Sequence, residues 1–124
     1  MIGIIGVGAG GILGTLLRFY LGKWISGKMG SGFPYGTWLI NISGSFLLGL
    51  LSALHNHRGM PEWSWLMFGV GFCGAYTTFS TFGYETIGLI GQGRKQQAIV
   101  YVISSVLLGI CFAWLGYRCI RLSQ

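Results

Sequence analysis

Charged side chains are scarce in this sequence: Asp, Glu, Lys and Arg together make up only 8% of its 124 residues. A soluble domain carries roughly 25% charged residues, because a surface that faces water needs them. A chain this small is mostly surface, so these few charges could not cover it in water. A disordered chain is excluded as well, because it would be rich in charge and poor in aromatics. The composition therefore predicts a membrane protein with a single domain.

Cysteine and acidic residues are also few. The sequence has 3 cysteines, and an odd number without paired spacing argues against a disulfide framework or a zinc site. The 2 acids belong to no nucleophile–base pair or metal cluster, so nothing in the sequence supports an enzyme. The 8 Lys and Arg residues occur singly or in pairs, whereas nucleic-acid binding would cluster them on one face. Their spacing is typical of cations placed at lipid headgroups.

Long uncharged stretches are what the sequence does contain. An α-helix needs about 20 apolar residues to cross the hydrocarbon core of a membrane, and four stretches between charges fit that requirement. The predicted helices cover residues 2–25, 33–56, 62–91 and 96–120, and they form one transmembrane domain over residues 1–124. All 5 tryptophans fall within about two turns of a predicted helix end, where amphipathic rings prefer the membrane interface. The predicted fold class is an all-α membrane protein with four transmembrane helices.

The predicted loops carry almost no charge asymmetry. With four crossings, the two termini and the loop between helices 2 and 3 share one side of the membrane and carry Arg58, Arg118 and Arg121. The other side carries Lys23, Lys28, Arg94 and Lys95. Because Lys and Arg asymmetry sets orientation, such a chain either inserts both ways, which allows an antiparallel homodimer, or keeps one orientation through a weak bias. The sequence leaves both alternatives open.

Three polar side chains lie where a bilayer makes them costly. Asn41 lies about two turns inside helix 2, so it needs a partner or a water-filled mouth. Arg18 lies near the end of helix 1. It either has a functional role there or simply extends its side chain to place the charge among the lipid headgroups. Since Glu62 stands at the first residue of its helix, Glu85 is the only acid inside a predicted span. It is a candidate proton relay, ion gate or partner for Arg18.

The middle of helix 3 reads GFCGAYTTFSTF over residues 71–82. Its glycines and β-branched hydroxyl residues disfavour an uninterrupted helix, so we predict a helix broken near the membrane midplane. Backbone groups that lose their helical hydrogen bonds at that depth are tolerated only where they are buried against other protein segments, or where they line a cavity or an ion site. The alternative is a packed helix whose hydroxyls bond back to carbonyls at i−4. Phe79 and Phe82 share one face, and their positive ring edges could stabilise a desolvated anion, although ordinary packing is an alternative.

These segments resemble the Fluc (CrcB) family of small fluoride channels over nearly the whole chain. The strings that carry the resemblance are GAGGILGTLLRFYLG in helix 1, GTWLINISGSFLLG in helix 2 and GFCGAYTTFSTFGYET in helix 3. The resemblance implies a fluoride-selective channel in the plasma (inner) membrane of a microbe, which exports fluoride passively and confers fluoride resistance. It also implies an antiparallel, dual-topology homodimer with two separate pores and a structural sodium ion at the dimer interface.

The resemblance further implies roles for individual residues. Phe79 and Phe82 would be the phenyl rings that line each pore, and Asn41 would meet fluoride near them. The polar wall of the pore would be formed by Ser80, Thr81, Tyr101 and Ser105. The vestibule and gate positions would be Arg18 and Glu85. The sodium ligands would be backbone carbonyls contributed by both subunits, at Gly74 and Thr77.

Two other functions compete with a fluoride channel. A small proton-coupled exporter of cationic drugs has the same four-helix, dual-topology architecture, but it needs an essential carboxylate that faces its substrate. Glu85 is the only candidate for that carboxylate. A non-transporting assembly subunit is the third possibility, and its rows of small residues would only dock partners. Tracer flux through purified, reconstituted protein separates the three functions.

Overall fold

The computed structural model of this chain describes residues 2–30 and 32–122, and every regular element in those two ranges is a helix. In chain order the helices are α1 (Ile2–Met29), α2 (Tyr35–His57), α3 (residues 62–76), α4 (Ser80–Gly91) and α5 (Lys95–Leu122). The helices α1, α2 and α5 are long and apolar enough to cross a membrane. At 1.5 Å per residue they measure roughly 35–42 Å, against about 30 Å of hydrocarbon. The chain is therefore an all-α, multi-pass membrane protein.

The helix α3 is not uniform, and it stops well before the predicted end of the third span at residue 91. It begins as α-helix at Glu62–Ser64, continues as π-helix over Trp65–Cys73 and ends as α-helix at Gly74–Tyr76. Thr77 then adopts an extended conformation with φ −79° and ψ 156°. The next helix, α4, begins only at Ser80. Neither α3 nor α4 alone reaches the length that a membrane crossing needs.

The helix α1 extends beyond its predicted end at residue 25. Its lysines do not end it, because Lys23 lies over the ring of Phe19 at 5.8 Å and Lys28 over the ring of Trp24 at 5.9 Å. Such cation–π contacts let the charges reach the headgroups along the helix surface. The helix stops where Gly30 takes a left-handed φ of 85°, a conformation that favours glycine at helix ends.

Glycines on α1 bring its backbone into direct contact with α3. Gly10 and Gly14 are buried, and a Cβ atom added at either position would overlap a backbone carbonyl oxygen of α3, that of Met67 or of Phe72. In a membrane, small residues at such positions let helices approach closely and gain van der Waals contact. These glycines of α1 thus fix the position of α3. They also fix the start of the interruption, by which we mean the non-helical residues 77–79 between α3 and α4.

The helices α2 and α5 pack in the same manner. A Cβ atom added to Gly49 would overlap the carbonyl oxygen of Ala113, and one added to Gly116 would overlap that of Phe46. Because each helix has a glycine facing the backbone of the other, the two axes lie close together around Gly49 and Gly116. The helix α2 also contacts α1, so it holds both long neighbours together around the interruption.

The contact at Gly14 leads to a stability prediction with a matched control. We expect Gly14→Ala to destabilise the protein by about 1–3 kcal/mol, because the added methyl group meets the backbone of Phe72, which has no soft rotamer to move. Gly8, on the same helix, has nothing within 4 Å of an added Cβ atom, so Gly8→Ala is expected to leave stability unchanged or to raise it slightly, because alanine favours a helix. Denaturant unfolding in detergent measures both variants. Equal stability of the two would contradict the close packing of α1 on α3.

Candidate functional site

The non-helical residues 77–79 are held by a single side chain of α2. The Nδ2 atom of Asn41 donates a hydrogen bond to the carbonyl oxygen of Thr78 at 3.0 Å, and the amide of Thr78 donates to Oδ1 of Asn41 at 2.9 Å. The carboxamide thereby replaces the helical partners that the Thr78 peptide loses where α3 ends. On the other side of the interruption, the amide of Thr81 donates to the hydroxyl oxygen of Thr78 at 3.3 Å.

A cavity of about 310 Å³ opens beside this pair, and we call it the phenyl cavity. Its lining residues come from α2, the interruption, α4 and α5: Asn41, Ser45, Leu48, Thr77, Thr78, Phe79, Phe82, Ser105 and Val106. No charged side chain belongs to this lining. The cavity therefore combines apolar rings with a few hydrogen-bonding groups, a combination that binds small polar solutes weakly.

The two phenyl rings of the cavity lie close together. The centroids of Phe79 and Phe82 are 6.1 Å apart, and the rings are tilted by 39°. Phe82 packs against Tyr101 with centroids 5.0 Å apart, whereas Phe79 is 83% exposed on this single chain. Tilted rings turn edges as well as faces toward a common space, and ring edges carry positive partial charge.

Two serines in the phenyl cavity differ in their free hydrogen-bonding capacity. Ser45 Oγ donates to the backbone carbonyl oxygen of Asn41 at 2.8 Å, so its proton is already used. Ser105 Oγ is buried and has no partner among the described residues. A buried hydroxyl left without a partner is costly. Of the two serines, Ser105 is thus the one that is ready to donate to a bound anion or water.

A second cavity of about 480 Å³ lies on the other side of the interruption, and we call it the charged cavity. Its charged lining residues are Arg18, Lys23 and Glu85, which leave a net positive charge. Arg18 Nε donates to the carbonyl oxygen of Ala75 at 3.1 Å, in the last turn of α3. Thr78 lines both cavities, so the interruption is the wall between them.

Glu85 lies in the charged cavity without pairing with Arg18. The buried hydroxyl of Tyr101 donates to Glu85 Oε1 at 3.1 Å, while Arg18 donates to the backbone of α3. Among the described residues, the charged groups of Arg18 and Glu85 form no ion pair. The carboxylate is thus oriented by a neutral donor, and the positive charge of the guanidinium is not neutralised by an ion pair with Glu85.

The residues that the resemblance assigned to a polar wall do not all come together. Ser105 lines the phenyl cavity, but Thr81 lines the charged cavity instead. Tyr101 lies behind Phe82 with its hydroxyl already bonded. Ser80 is exposed at the start of α4 and contributes to neither cavity. Residues one and two positions after Phe79 fall on other faces of the helix than Phe79 and Phe82.

Among the hydrogen-bonding residues of the phenyl cavity, two were not predicted as site residues, Thr78 and Ser45. Ser45 stands one helical turn after Asn41, so its spacing on α2 was a signal that could have found it. Thr78 was one of several hydroxyl residues in the string, with nothing to distinguish it. Its partner lies 37 positions away in the sequence, and only the packing of α2 against the interruption brings the two together.

The interruption also frees two backbone carbonyls, at Gly74 and Thr77. The amides four residues further on, of Thr78 and Thr81, donate to side-chain oxygens and not to these carbonyls. Carbonyl oxygens without amide partners are ligands that hard cations accept. Gly74 is exposed, and a Cβ atom added there would have nothing within 4 Å. The donor atoms present at the interruption thus fit a sodium ion.

Comparisons of the sequence with known proteins identify a family and several similar chains. The model of the CrcB-like protein family (Camphor Resistance, CrcB) matches residues 5–117. "Fluoride-specific ion channel FluC 2" of Moorella thermoacetica is 50% identical over 111 residues, which cover 90% of each chain. "Fluoride-specific ion channel FluC" of Acidobacterium capsulatum is 48% identical over 112 residues and 89% of each chain. A protein of that same name from Thermus thermophilus is 43% identical over 112 residues, covering 90% of this chain and 88% of its own. Identities of this extent show that the chain belongs to the CrcB family.

Proposed function

We propose that this protein is a fluoride-selective ion channel, which exports fluoride passively through the plasma (inner) membrane of a microbe and confers fluoride resistance. The phenyl cavity is the observation that carries the proposal, because it combines ring edges with an unpartnered hydroxyl and has no cation that would trap an anion. The names of the three relatives point to the same ion. A channel of this kind is not an enzyme and needs no catalytic group.

Fluoride would pass the two cavities in turn. The charged cavity raises the local concentration of anions through the positive charge of Arg18 and Lys23. The phenyl cavity then replaces the water around fluoride with the hydroxyl of Ser105 and the edges of Phe79 and Phe82. Because each of these contacts is weak, the ion leaves as readily as it enters, which conduction requires.

The working unit that we propose is an antiparallel, dual-topology homodimer with two pores. Phe79 in the interruption and Gly74 in the last turn of α3 are both exposed on the single chain, and irregular backbone inside a membrane must be covered by protein or line a cavity. A second copy that packs on the same surface would cover both interruptions. The third crossing of each copy would consist of α3 and α4, with the interruption near the membrane midplane.

A structural sodium ion fits this dimer at the surface where the two interruptions meet. Its ligands would be the carbonyl oxygens of Gly74 and Thr77, contributed by both copies. The positive charge of the ion would balance the partial negative charges of carbonyls that lack amide partners. In this role the chain's own carbonyls hold the two copies in register, and the ion takes no part in moving fluoride.

Fluoride efflux from liposomes that contain the purified protein tests the proposed function. We expect fluoride efflux at least about a hundredfold faster than chloride efflux, because the donors of the phenyl cavity suit a small, strongly hydrated anion. Efflux of a cationic drug that requires a proton gradient would instead support the small multidrug exporter. No flux of either solute would leave an assembly subunit as the function.

Dual orientation is a separate prediction of the proposed dimer. Reporters fused to the C-terminus are expected to give signals from both sides of the membrane, because the basic residues of the loops are nearly balanced. Three lysines added at the C-terminus should then drive the chain into one orientation and lower fluoride flux, since opposite copies become rare. A uniform orientation of the unmodified protein would contradict the proposal.

A further inference from the structure

We infer that the Thr78 peptide locks the carboxamide of Asn41 in one orientation, so that Asn41 keeps an N–H donor for the phenyl cavity while its oxygen is held by the Thr78 amide. Asn41 would then determine the sign of the ion that the cavity accepts, and the backbone of Thr78 would position it. This inference rests on the proposed fluoride channel and goes beyond it by naming what sets the polarity of the cavity.

The two hydrogen bonds between these residues use complementary atoms. An amide side chain has one oxygen that accepts and one nitrogen that carries two hydrogens. The oxygen of Asn41 accepts from the Thr78 amide at 2.9 Å, and one hydrogen of its nitrogen goes to the Thr78 carbonyl at 3.0 Å. The second hydrogen on that nitrogen takes part in neither bond. Because Asn41 lines the phenyl cavity, this hydrogen is the group it has left for a bound ion.

A reversed carboxamide is excluded by the same two contacts. Exchanging the oxygen and nitrogen of Asn41 would face its oxygen with the Thr78 carbonyl and its nitrogen with the Thr78 amide. Two hydrogen bonds would be replaced by two contacts between groups of like polarity, which loses both bonds and adds repulsion. An asparagine without such a partner could rotate and coordinate a cation through its oxygen. The pairing with Thr78 therefore removes that alternative.

The other hydroxyls of the cavity do not supply this constraint. Ser45 uses its proton on the backbone of Asn41, so toward the cavity it has only lone pairs. Ser105 is unpartnered, but a hydroxyl rotates freely and both donates and accepts. The hydroxyls of Thr77 and Thr78 take part in bonds within α3 and the interruption. Of the polar side chains that line the cavity, Asn41 is thus the one donor whose direction and polarity are fixed by two hydrogen bonds to the backbone of the interruption.

The test replaces the backbone amide of Thr78 with an ester, which removes the N–H donor and leaves every side chain unchanged. The matched control is an ester at Gly83, whose amide donates an ordinary helical bond to Phe79 at 2.9 Å. We expect the Thr78 ester to lower fluoride flux per assembled protein by about tenfold and to admit potassium, because the freed carboxamide can turn its oxygen inward. The Gly83 ester should change flux by no more than about twofold and admit no potassium.

Hydrogen exchange provides a readout that does not depend on conduction. In the unmodified protein the Thr78 amide should exchange slowly, and Asn41→Leu should speed its exchange by about tenfold or more while the Gly83 amide is unaffected. A rapidly exchanging Thr78 amide would overturn the lock, as would a Thr78 ester with unchanged flux and selectivity. Absence of fluoride flux in the unmodified protein would overturn the proposed function, and the selectivity role with it. Equal effects of both esters would mean that the pairing of Asn41 with Thr78 only stabilises the fold, and this would overturn its role in selectivity.

Discussion

Replacing either Phe79 or Phe82 with isoleucine is expected to lower fluoride flux by about tenfold or more in a protein that still assembles. Isoleucine keeps apolar bulk in the phenyl cavity but has no positive ring edge, so fluoride would lose part of what replaces its water. The change in volume is modest, and such exchanges cost little stability in a core. Methionine should lower flux less than isoleucine, because its polarizable sulfur adapts to irregular space.

A second phenylalanine pair in the chain provides the control for this experiment. Phe46 and Phe112 pack edge to face with centroids 6.5 Å apart, and neither ring lines the phenyl cavity. Phe46→Ile should therefore leave flux per assembled dimer close to that of the unmodified protein. If the rings at 79 and 82 served only packing, their replacement would reduce the amount of assembled protein and leave flux per dimer unchanged. Undiminished flux in both isoleucine variants would refute the role of the ring edges.

The sequence predicts the membrane class and the approximate positions of the helices, since both follow from hydropathy and charge spacing. It does not predict where the helices end. The end of α1 depends on a left-handed glycine at residue 30 and on lysines that lie over aromatic rings. A lysine within the apolar stretch therefore did not mark the end of the helix. The nine-residue π-helix in α3 left no signal that periodicity alone could detect, because a strongly apolar segment has little amphipathic contrast.

The candidate site was predictable where one short string contains it. Phe79 and Phe82 stand three positions apart in the hydroxyl-rich string of residues 71–82, and they do line one cavity. The pairing of Asn41 with Thr78 was not predictable, because it joins α2 to α3 and α4 across a long separation in sequence. The division of the hydroxyl residues between two cavities was not predictable either. The direction of each side chain depends on how far the non-helical residues rotate α4 relative to α3.

Replacing Arg18 with glutamine is the second change from which we expect a large loss, about tenfold in fluoride flux. Arg18 contributes a positive charge to the charged cavity, and its Nε atom holds the carbonyl oxygen of Ala75 next to the interruption. Glutamine removes the charge that concentrates anions and shortens the donor. Arg18→Lys keeps the charge but lacks the planar fork of donors, so it should recover part of the flux and not all of it.

Lys23 is the matched control, because it lines the same cavity and has the same charge. Its amine is exposed and lies over the ring of Phe19 at 5.8 Å, so salt screens its field within about 8 Å at physiological ionic strength. Lys23→Gln should therefore lower flux by no more than about twofold, and less at high salt. Equal losses in Lys23→Gln and Arg18→Gln would mean that the cavity acts through its net charge alone. Unchanged flux in Arg18→Gln would exclude the charged cavity from the path of the ion, since an anion that passes the interruption from that side must pass this guanidinium.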